Sequence, residues 1–510
     1  MLGMHRLDLR NLLAGSFLIV LFAGLVAAAL FVLPLSFTHS SLATDQVSAE
    51  ALGWVGSSAE VMAGVLAVAV TVVAIVVELA ANRYSHRISE LFFSDLLNRA
   101  VLVLLVVTTL ICLWVSAFES LDTNGRGLHK STFIGVVALV SLSAALLIPF
   151  FIRVFAFLSP ASIVQRIYKK GQPARVWRQH QTREAQQAEF IDVTADLYDV
   201  AGSAIEHHDR SVALAALNAL FDLLEDYHQA REEQPDHWRT LSLAQDMDPD
   251  FVAFSADARA EINANGTWLE TKVLRQALTM TQRTLPNLSE LAHLYIIRCA
   301  KLFEFADSFP HLFEIIKRSF NSMLRAALNA DDQRTAYYVL AHYRKLAESA
   351  HRIGREDWTL QVAEHISYYS RFAYSIEMTF LLEVGAFDLA ELIRHTEGSL
   401  QADHLLALLL ELDKPIGDRE SNQSRSLQGV RRAQIRLATH YLESEQGGRY
   451  ERLLADLAGE RFELVAEILD AIQTETQGQY WEFTERGDNF NYLDPELRRH
   501  LPRIRADLVR

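Results

Sequence analysis

The sequence predicts an all-α membrane protein: four transmembrane helices within residues 1–158, followed by a large, solenoid-like helical domain on the cytoplasmic side. Three observations carry this reading. Four nearly uncharged apolar runs crowd the first third of the chain, apolar residues recur at helical spacing after Ala188, and only nine of the 11 prolines are spread over everything beyond residue 150. At 510 residues the chain also exceeds the ~250–300 residues at which a single core stops growing, so it divides into more than one unit.

The apolar runs are Leu12 to Leu35, Val61 to Val77, Ala100 to Phe118 and Thr132 to Ile152, and none contains Asp, Glu, Lys or Arg. Each is near the ~20 residues that carry a helix through a ~30 Å hydrocarbon layer. A backbone in lipid must satisfy its own hydrogen bonds, which selects helices. Pro34 and Pro149 are expected near span ends, where a missing N–H costs least. The first run follows Arg6 and Arg10 as a secretory signal would, but its length and the lack of a small-residue cleavage site make it a span.

Positive charge sets orientation. Phe37 to Glu60 has no Lys or Arg, whereas Arg83, Arg87 and Arg99 lie between the second and third runs; Arg126 and Lys130 in the next connection are a mild exception. Arg166, Lys169, Lys170, Arg175, Arg178 and Arg183 follow the fourth run without an acid among residues 160–183. The expectation is a multi-pass protein of the bacterial inner membrane with both termini cytoplasmic. Arg166, Lys169, Lys170, Arg175 and Arg178 are then placed to touch lipid head groups. Residues 184–510 carry 34 Lys and Arg against 54 Asp and Glu, a net of −20, which disfavours nucleic acid as a partner.

The organisation follows: a four-helix transmembrane domain at 1–158, a basic juxtamembrane linker at 159–187, a helical domain at 188–412, a polar loop at 413–428, and a C-terminal helical part with an aromatic cap at 429–510. Within the helical domain, Val362 to Val384 reads as one helix, and AsnAlaAspAsp (329–332) and ValGlyAlaPheAsp (384–388) read as turns. Arg231 to Pro249 reads as a polar interruption. Tyr480, Trp481, Phe483, Phe490, Tyr492 and Leu493 are too apolar for a solvated tail and are expected to dock as a cap on the last helices.

Catalytic signatures are absent from the sequence: it has no GxxxxGK[ST], HExxH, GxSxG or dinucleotide glycine motif. Two isolated cysteines, Cys112 and Cys299, make neither a disulfide framework nor a CxxC metal site. His207-His208-Asp209 is the one compact ligand-like group, yet successive helical residues point about 100° apart, which favours capping or exposure. No catalytic residue, metal or cofactor is expected. Tyr337, Tyr338, Tyr343, Tyr368, Tyr369, Phe372 and Tyr374 read as packing between helices before they read as a ligand platform.

The membrane feature with most content is on the second run. Glu60, Gly64, Ala67, Thr71, Ala74 and Glu78 recur every three or four residues and so share one helix face, small in the middle and acidic at each end. Such a face suits close helix packing, or the wall of a cation path if several copies assemble. The reading reached is a non-catalytic scaffold or interaction protein, anchored in the membrane, that binds a protein partner or its own copies as a homo-oligomer. The alternative is an oligomeric channel or transporter with a cation path along that helix.

Val77-Glu-Leu-Ala-Ala-Asn-Arg83-Tyr84-Ser85-His86-Arg87 resembles the corresponding loop of a family of bacterial membrane proteins, domain of unknown function 2254. Leu197-Tyr-Asp199-Val-Ala201 through Leu217 is a second point of resemblance. The chain departs from that pattern at Ser85-His86-Arg87, where the family tends to Ser-Pro-Arg, and at Glu206-His207-His208-Asp209. The resemblance covers about the first 230 residues, implies several N-terminal spans before a helical region at the bacterial inner membrane, and implies no activity.

Overall fold

A computed structural model describes residues 49–83, 96–121, 130–157, 159–179, 182–231, 236–240, 248–285, 287–399, 401–412, 414, 427–480 and 486–509. Among these the regular structure is helical, with a single β-bridge between Gln479 and Asp488. Apolar runs become α1 (Ala49–Arg83), α2 (Leu96–Leu121) and α3 (Lys130–Phe157). Each holds a stretch long and apolar enough to cross a membrane: Gly53–Leu79, Asn98–Ala117 and Thr132–Phe155. These are three of the four expected spans; Leu12 to Leu35 lies outside the described residues.

The three helices pack on one another around Val55, Ala59, Cys112, Val115 and Val136, with Trp54 edge-on to Phe133 at 5.9 Å. Ser58, Asn98, Thr108, Thr109 and Ser143 are turned inward. Thr108 of α2 and Ser143 of α3 share a buried hydrogen bond of 2.9 Å, and Ser58 is returned to the Trp54 carbonyl at 2.8 Å. Val61, Val68, Ile75, Leu110, Trp114, Ile134 and Ile148 are exposed instead. An apolar outside around a partly polar inside is what lipid as solvent favours. Pro149 is not at a helix end as expected but inside α3, which runs on to Phe157. In hydrocarbon a fully broken helix would strand several carbonyls, so losing one bond at Ala145 is the smaller cost.

Beyond the spans come α4 (Pro160–Gly171), α5 (Pro173–Gln179), α6 (Arg183–Glu206) and α7 (Arg210–Gln229). After them follow α8 (Pro249–Val252), α9 (Ala256–Asn265), α10 (Trp268–Gln282), α11 (Ser289–Leu302) and α12 (His311–Asn329). The chain continues through α13 (Gln333–Arg352), α14 (Glu356–Ser375), α15 (Thr379–His395) and α16 (Ala402–Leu410). It ends with α17 (Gln428–Glu443), α18 (Gly447–Leu457), α19 (Phe462–Thr474), α20 (Pro495–Arg498) and α21 (Leu501–Val509). Two compact units result: Met1–Lys170 with Ala195–Val212, and Gly171–Thr194 with Ala213–Arg510.

In the second unit each helix from α10 to α15 packs on sequence neighbours one and two places away, and α15 also packs on α17. Local signals set the ends. Asp209 accepts from Val212 N at 3.3 Å, Ser255 from Ala258 N at 3.2 Å and Asp332 from Thr335 N at 3.0 Å, each satisfying an orphan donor of a first turn. Gly266 closes α9 at φ 62°, a left-handed position that costs glycine little.

Two expectations are corrected. The helix over Val362 to Val384 is two helices, α14 and α15, separated by a turn at 376–378 where Glu377 has φ 69°. The expected turn at ValGlyAlaPheAsp lies inside α15. Gly385 is there because α14 approaches so closely that a Cβ would collide with the Ser370 side chain, not because the chain turns. The polar interruption from Arg231 to Pro249 contains a 3-10 turn at Asp236–Arg239 and leads into α8 and α9, which the helical periodicity did not reveal.

Candidate functional site

On α1, Glu60, Gly64, Ala67, Thr71, Ala74 and Glu78 do share one face, and all six are exposed, away from the buried Val55, Ala59, Met62, Ala69, Val73 and Val76 that meet the neighbouring helices. The 18-residue interval from Glu60 to Glu78 corresponds to about 27 Å of helix, close to one hydrocarbon thickness. Thr71 returns its hydroxyl to the Ala67 carbonyl at 2.8 Å.

Of the basic residues after the spans, Lys169 on α4 is exposed while Arg166 and Lys170 are half-buried; Arg175 and Arg178 on α5 are exposed. Buried Ile163, Val164 and Ile167 form the opposite face of α4. His207 and His208 are exposed, and Asp209 spends its carboxylate on the first turn of α7, taking Ser211 Oγ at 3.0 Å as well.

The aromatic group splits. Tyr343, Tyr369 and Tyr337 are buried, with Tyr343 donating to Asn321. Tyr368, Phe372, Ile376 and Phe380 are 57%, 37%, 39% and 45% exposed, a large apolar fraction for an acidic domain. Tyr368, Phe372 and Ile376 are spaced by four and so line one side of α14 and its cap; the first two rings stack at 6.5 Å.

Next in sequence, α15 carries a buried charge network. Asp388, fully buried, takes the Arg486 guanidinium in a two-point pair, with Arg486 Nη1 3.0 Å from Asp388 Oδ2. Arg344 of α13 lies 3.2 Å from the same carboxylate. The Arg486 guanidinium also sits 4.9 Å from the Tyr337 ring and 5.7 Å from Phe387. Burial works against the Arg486 charge, but Asp388 outweighs it and holds the group above its ordinary pKa. Phe490 stacks on Phe387 at 4.4 Å and on Phe380 at 6.3 Å. Glu391, one turn on, binds Arg394 at 2.9 Å and Arg436 of α17 at 3.4 Å. Burial raises the Glu391 carboxyl, and these arginines with Arg344 bring it below its usual value. The C-terminal aromatic segment thus reaches back to α15; Trp481 and Phe483 lie outside the described residues.

A second polar centre is largely buried, with Glu270 fully so. Glu270 in the first turn of α10 faces His228 Nε2 of α7 at 3.3 Å and, just past the end of that helix, Arg231 Nη1 at 3.4 Å. The Arg231 guanidinium lies 3.3 Å over the Phe309 ring, and His228 stacks on Phe305 at 5.1 Å. Trp238 packs between Tyr227 and Trp268 at 5.4 and 5.2 Å, held by Gln187 donating to the Trp238 and Thr240 carbonyls. Burial pushes the Glu270 carboxyl up to about 7 against the opposing pull of Arg231. Burial, helped by Arg231, lowers His228 to about 3, so the imidazole is neutral. Lys272, two residues on, is 2% exposed and binds Asp248 at 2.8 Å and Asp250 at 2.7 Å. Sequence reasoning missed this centre because its members come from six separated segments, around residues 187, 227–231, 238–240, 248–250, 268–272 and 305–309. A cleft of about 240 Å³ nearby is crossed by the Arg318–Glu261 pair at 2.8 Å.

Fold and surfaces together define a class, an all-helical protein with membrane-crossing helices at its N-terminal end and a large helical region after them. Residues 10–235 match a family described as "Predicted membrane protein (DUF2254)", in agreement with the resemblance seen at Val77–Arg87 and Leu197–Leu217. No curated protein matches the chain. A solved structure described as "Circular tandem repeat protein with novel repeat topology and enhanced subunit contact surfaces" aligns over 98% of this chain and 96% of its own, at 15% identity and a TM-score of 0.26.

Proposed function

We propose that the protein is a scaffold anchored in the bacterial inner membrane, whose acidic, solenoid-like helical domain binds a protein partner or further copies of itself on the cytoplasmic side and catalyses nothing. The observation that carries this reading is the exposed row Tyr368, Phe372 and Ile376, with Phe380 also exposed on the next helix, on a domain otherwise rich in carboxylates. Aromatic side chains of this kind are enriched at the energetic centres of protein interfaces. The basic residues Arg166, Lys169, Lys170, Arg175 and Arg178 serve anionic head groups in this reading, each adding about 1 kcal/mol near the surface. A photo-crosslinking residue at position 372, activated in intact membranes, should yield an adduct with a second polypeptide. Membranes that give only the uncrosslinked chain would sink the proposal.

One observation favours a second reading. The Glu60, Gly64, Ala67, Thr71, Ala74 and Glu78 face of α1 is exposed along its whole length, as the wall of a cation path between copies would be before assembly. Bilayers containing the purified chain should then conduct cations, with conductance changed by Glu60→Gln and Glu78→Gln. Silent bilayers, or conductance indifferent to both substitutions, would remove this reading.

A further inference from the structure

We propose that the face of α13, α15 and α17 holding Arg486 and Phe490 is a peptide-recognition groove. Its own C-terminal strap fills it in cis, and its partner is a segment presenting an arginine and an aromatic side chain four residues apart. This rests on the interaction reading above and gives the partner a chemistry.

The strap is seated as a bound peptide is. Between α19 and α20 the described chain has one β-bridge, and two of its side chains grip the groove, the Arg486 fork on buried Asp388 and the Phe490 ring on Phe387, while Asn489 and Leu493 are buried and Asn489 donates to the Gln477 carbonyl at 2.8 Å. A bidentate guanidinium–carboxylate pair supplies direction, and a stacked ring supplies buried apolar area. Arg436 adds a donor to the Phe490 carbonyl at 3.5 Å, a main-chain contact indifferent to side-chain identity.

The groove is also built to survive without the strap. Removing one member of a buried ion pair normally strands its partner at a cost of several kcal/mol. Here Asp388 keeps Arg344 at 3.2 Å, and Glu391 keeps Arg394 and Arg436, so neither carboxylate loses its last cation when Arg486 leaves. What the strap's departure uncovers is the Asp388 carboxylate and, around it, the rings of Tyr337 and Phe387 beside the already exposed Phe380. Phe380, which follows the Tyr368–Ile376 row in the chain, also stacks on Phe490 at 6.3 Å. An opened groove therefore demands an occupant with the strap's own chemistry.

The test uses the full chain in mild detergent and a fluorescent peptide of residues 486–493. Arg486→Ala/Phe490→Ala protein, freed from its competitor, should bind the peptide about tenfold more tightly than wild type, because the competent state is no longer occupied in cis. Adding Asp388→Asn should abolish binding, as should replacing the arginine and phenylalanine of the peptide by alanine. A double variant with wild-type helicity and thermal transition that fails to bind would overturn the proposal. Should the double variant not fold, amide exchange on wild type decides: residues 486–493 are expected to be about a hundredfold less protected than the core of α15. Equal protection would show a permanent structural cap and overturn it. A failed peptide test alongside an adduct at position 372 would remove the groove while leaving the interaction reading in place.

Discussion

Replacing Glu270 by Gln should stabilise the helical domain at alkaline pH and leave it unchanged at pH 4.5. Glu270 is fully buried against a neutral imidazole, and burial moves its carboxyl from 4.5 to about 7. The folded state therefore holds this proton more tightly than the unfolded chain does. Its contribution is fully favourable below pH 4.5, fades between 4.5 and about 7, and above that leaves a charged buried group costing about 3 kcal/mol relative to the acid. The amide introduced by Glu270→Gln would resemble the protonated acid at every pH, so the gain over wild type should rise to about 3 kcal/mol at pH 8. His228 has the opposite sign. Its protonation, lowered from 6.5 to about 3, makes the folded state weaken as pH falls below 6.5. Between pH 4.5 and 6.5 the two effects nearly cancel in wild type, whereas Glu270→Gln exposes the histidine alone, with a slope of about 1.4 kcal/mol per pH unit. Urea midpoints followed by tryptophan fluorescence measure this, since Trp238 and Trp268 are buried beside the centre. A Glu270→Gln protein less stable than wild type at pH 8 would refute the reasoning, and would mean the Arg231 pair outweighs the burial of charge.

Three further outcomes follow from packing. Lys272→Met should destabilise by about 3–5 kcal/mol, because Asp248 stays buried without its cation; denaturant unfolding reads this. Gly385→Ala should cost about 1–3 kcal/mol, since the added methyl meets Ser370 across the α14–α15 contact, and Ser370→Ala should recover part of the loss in a double variant. Thr108→Val should weaken packing in the membrane by only about 0.6 kcal/mol, measured by thermal unfolding in detergent, because it deletes one hydrogen bond to Ser143 in a setting where the unfolded chain also finds partners.

Helix class and three of the four expected membrane segments were legible because hydrophobic periodicity and run length are local properties of the chain. The exposed face from Glu60 to Glu78 was legible for the same reason: one helix and one period place all six residues together. Helix ends were less so. Gly385 signals a turn in sequence, yet its lack of a side chain serves a close helix crossing, and that purpose depends on Ser370, which lies 15 positions earlier. Pro149 misleads in the same way, since only the surrounding solvent decides whether a helix survives it. Charge centres were invisible. Asp388 and Arg486 are 98 residues apart and Glu270 is 39 from Arg231, so nothing in local composition distinguishes them from surface charges. Only burial does, and burial is a property of the fold.

The most direct measurement is the mass of the purified full chain in mild detergent, by light scattering that separates protein from detergent, for wild type and for Tyr368→Ser/Phe372→Ser. If the aromatic row is a protein-binding surface, wild-type particles should carry more protein than one 57.5 kDa chain and the variant should carry less than wild type. Particles of a single chain in both samples, with no second polypeptide, would contradict the scaffold reading.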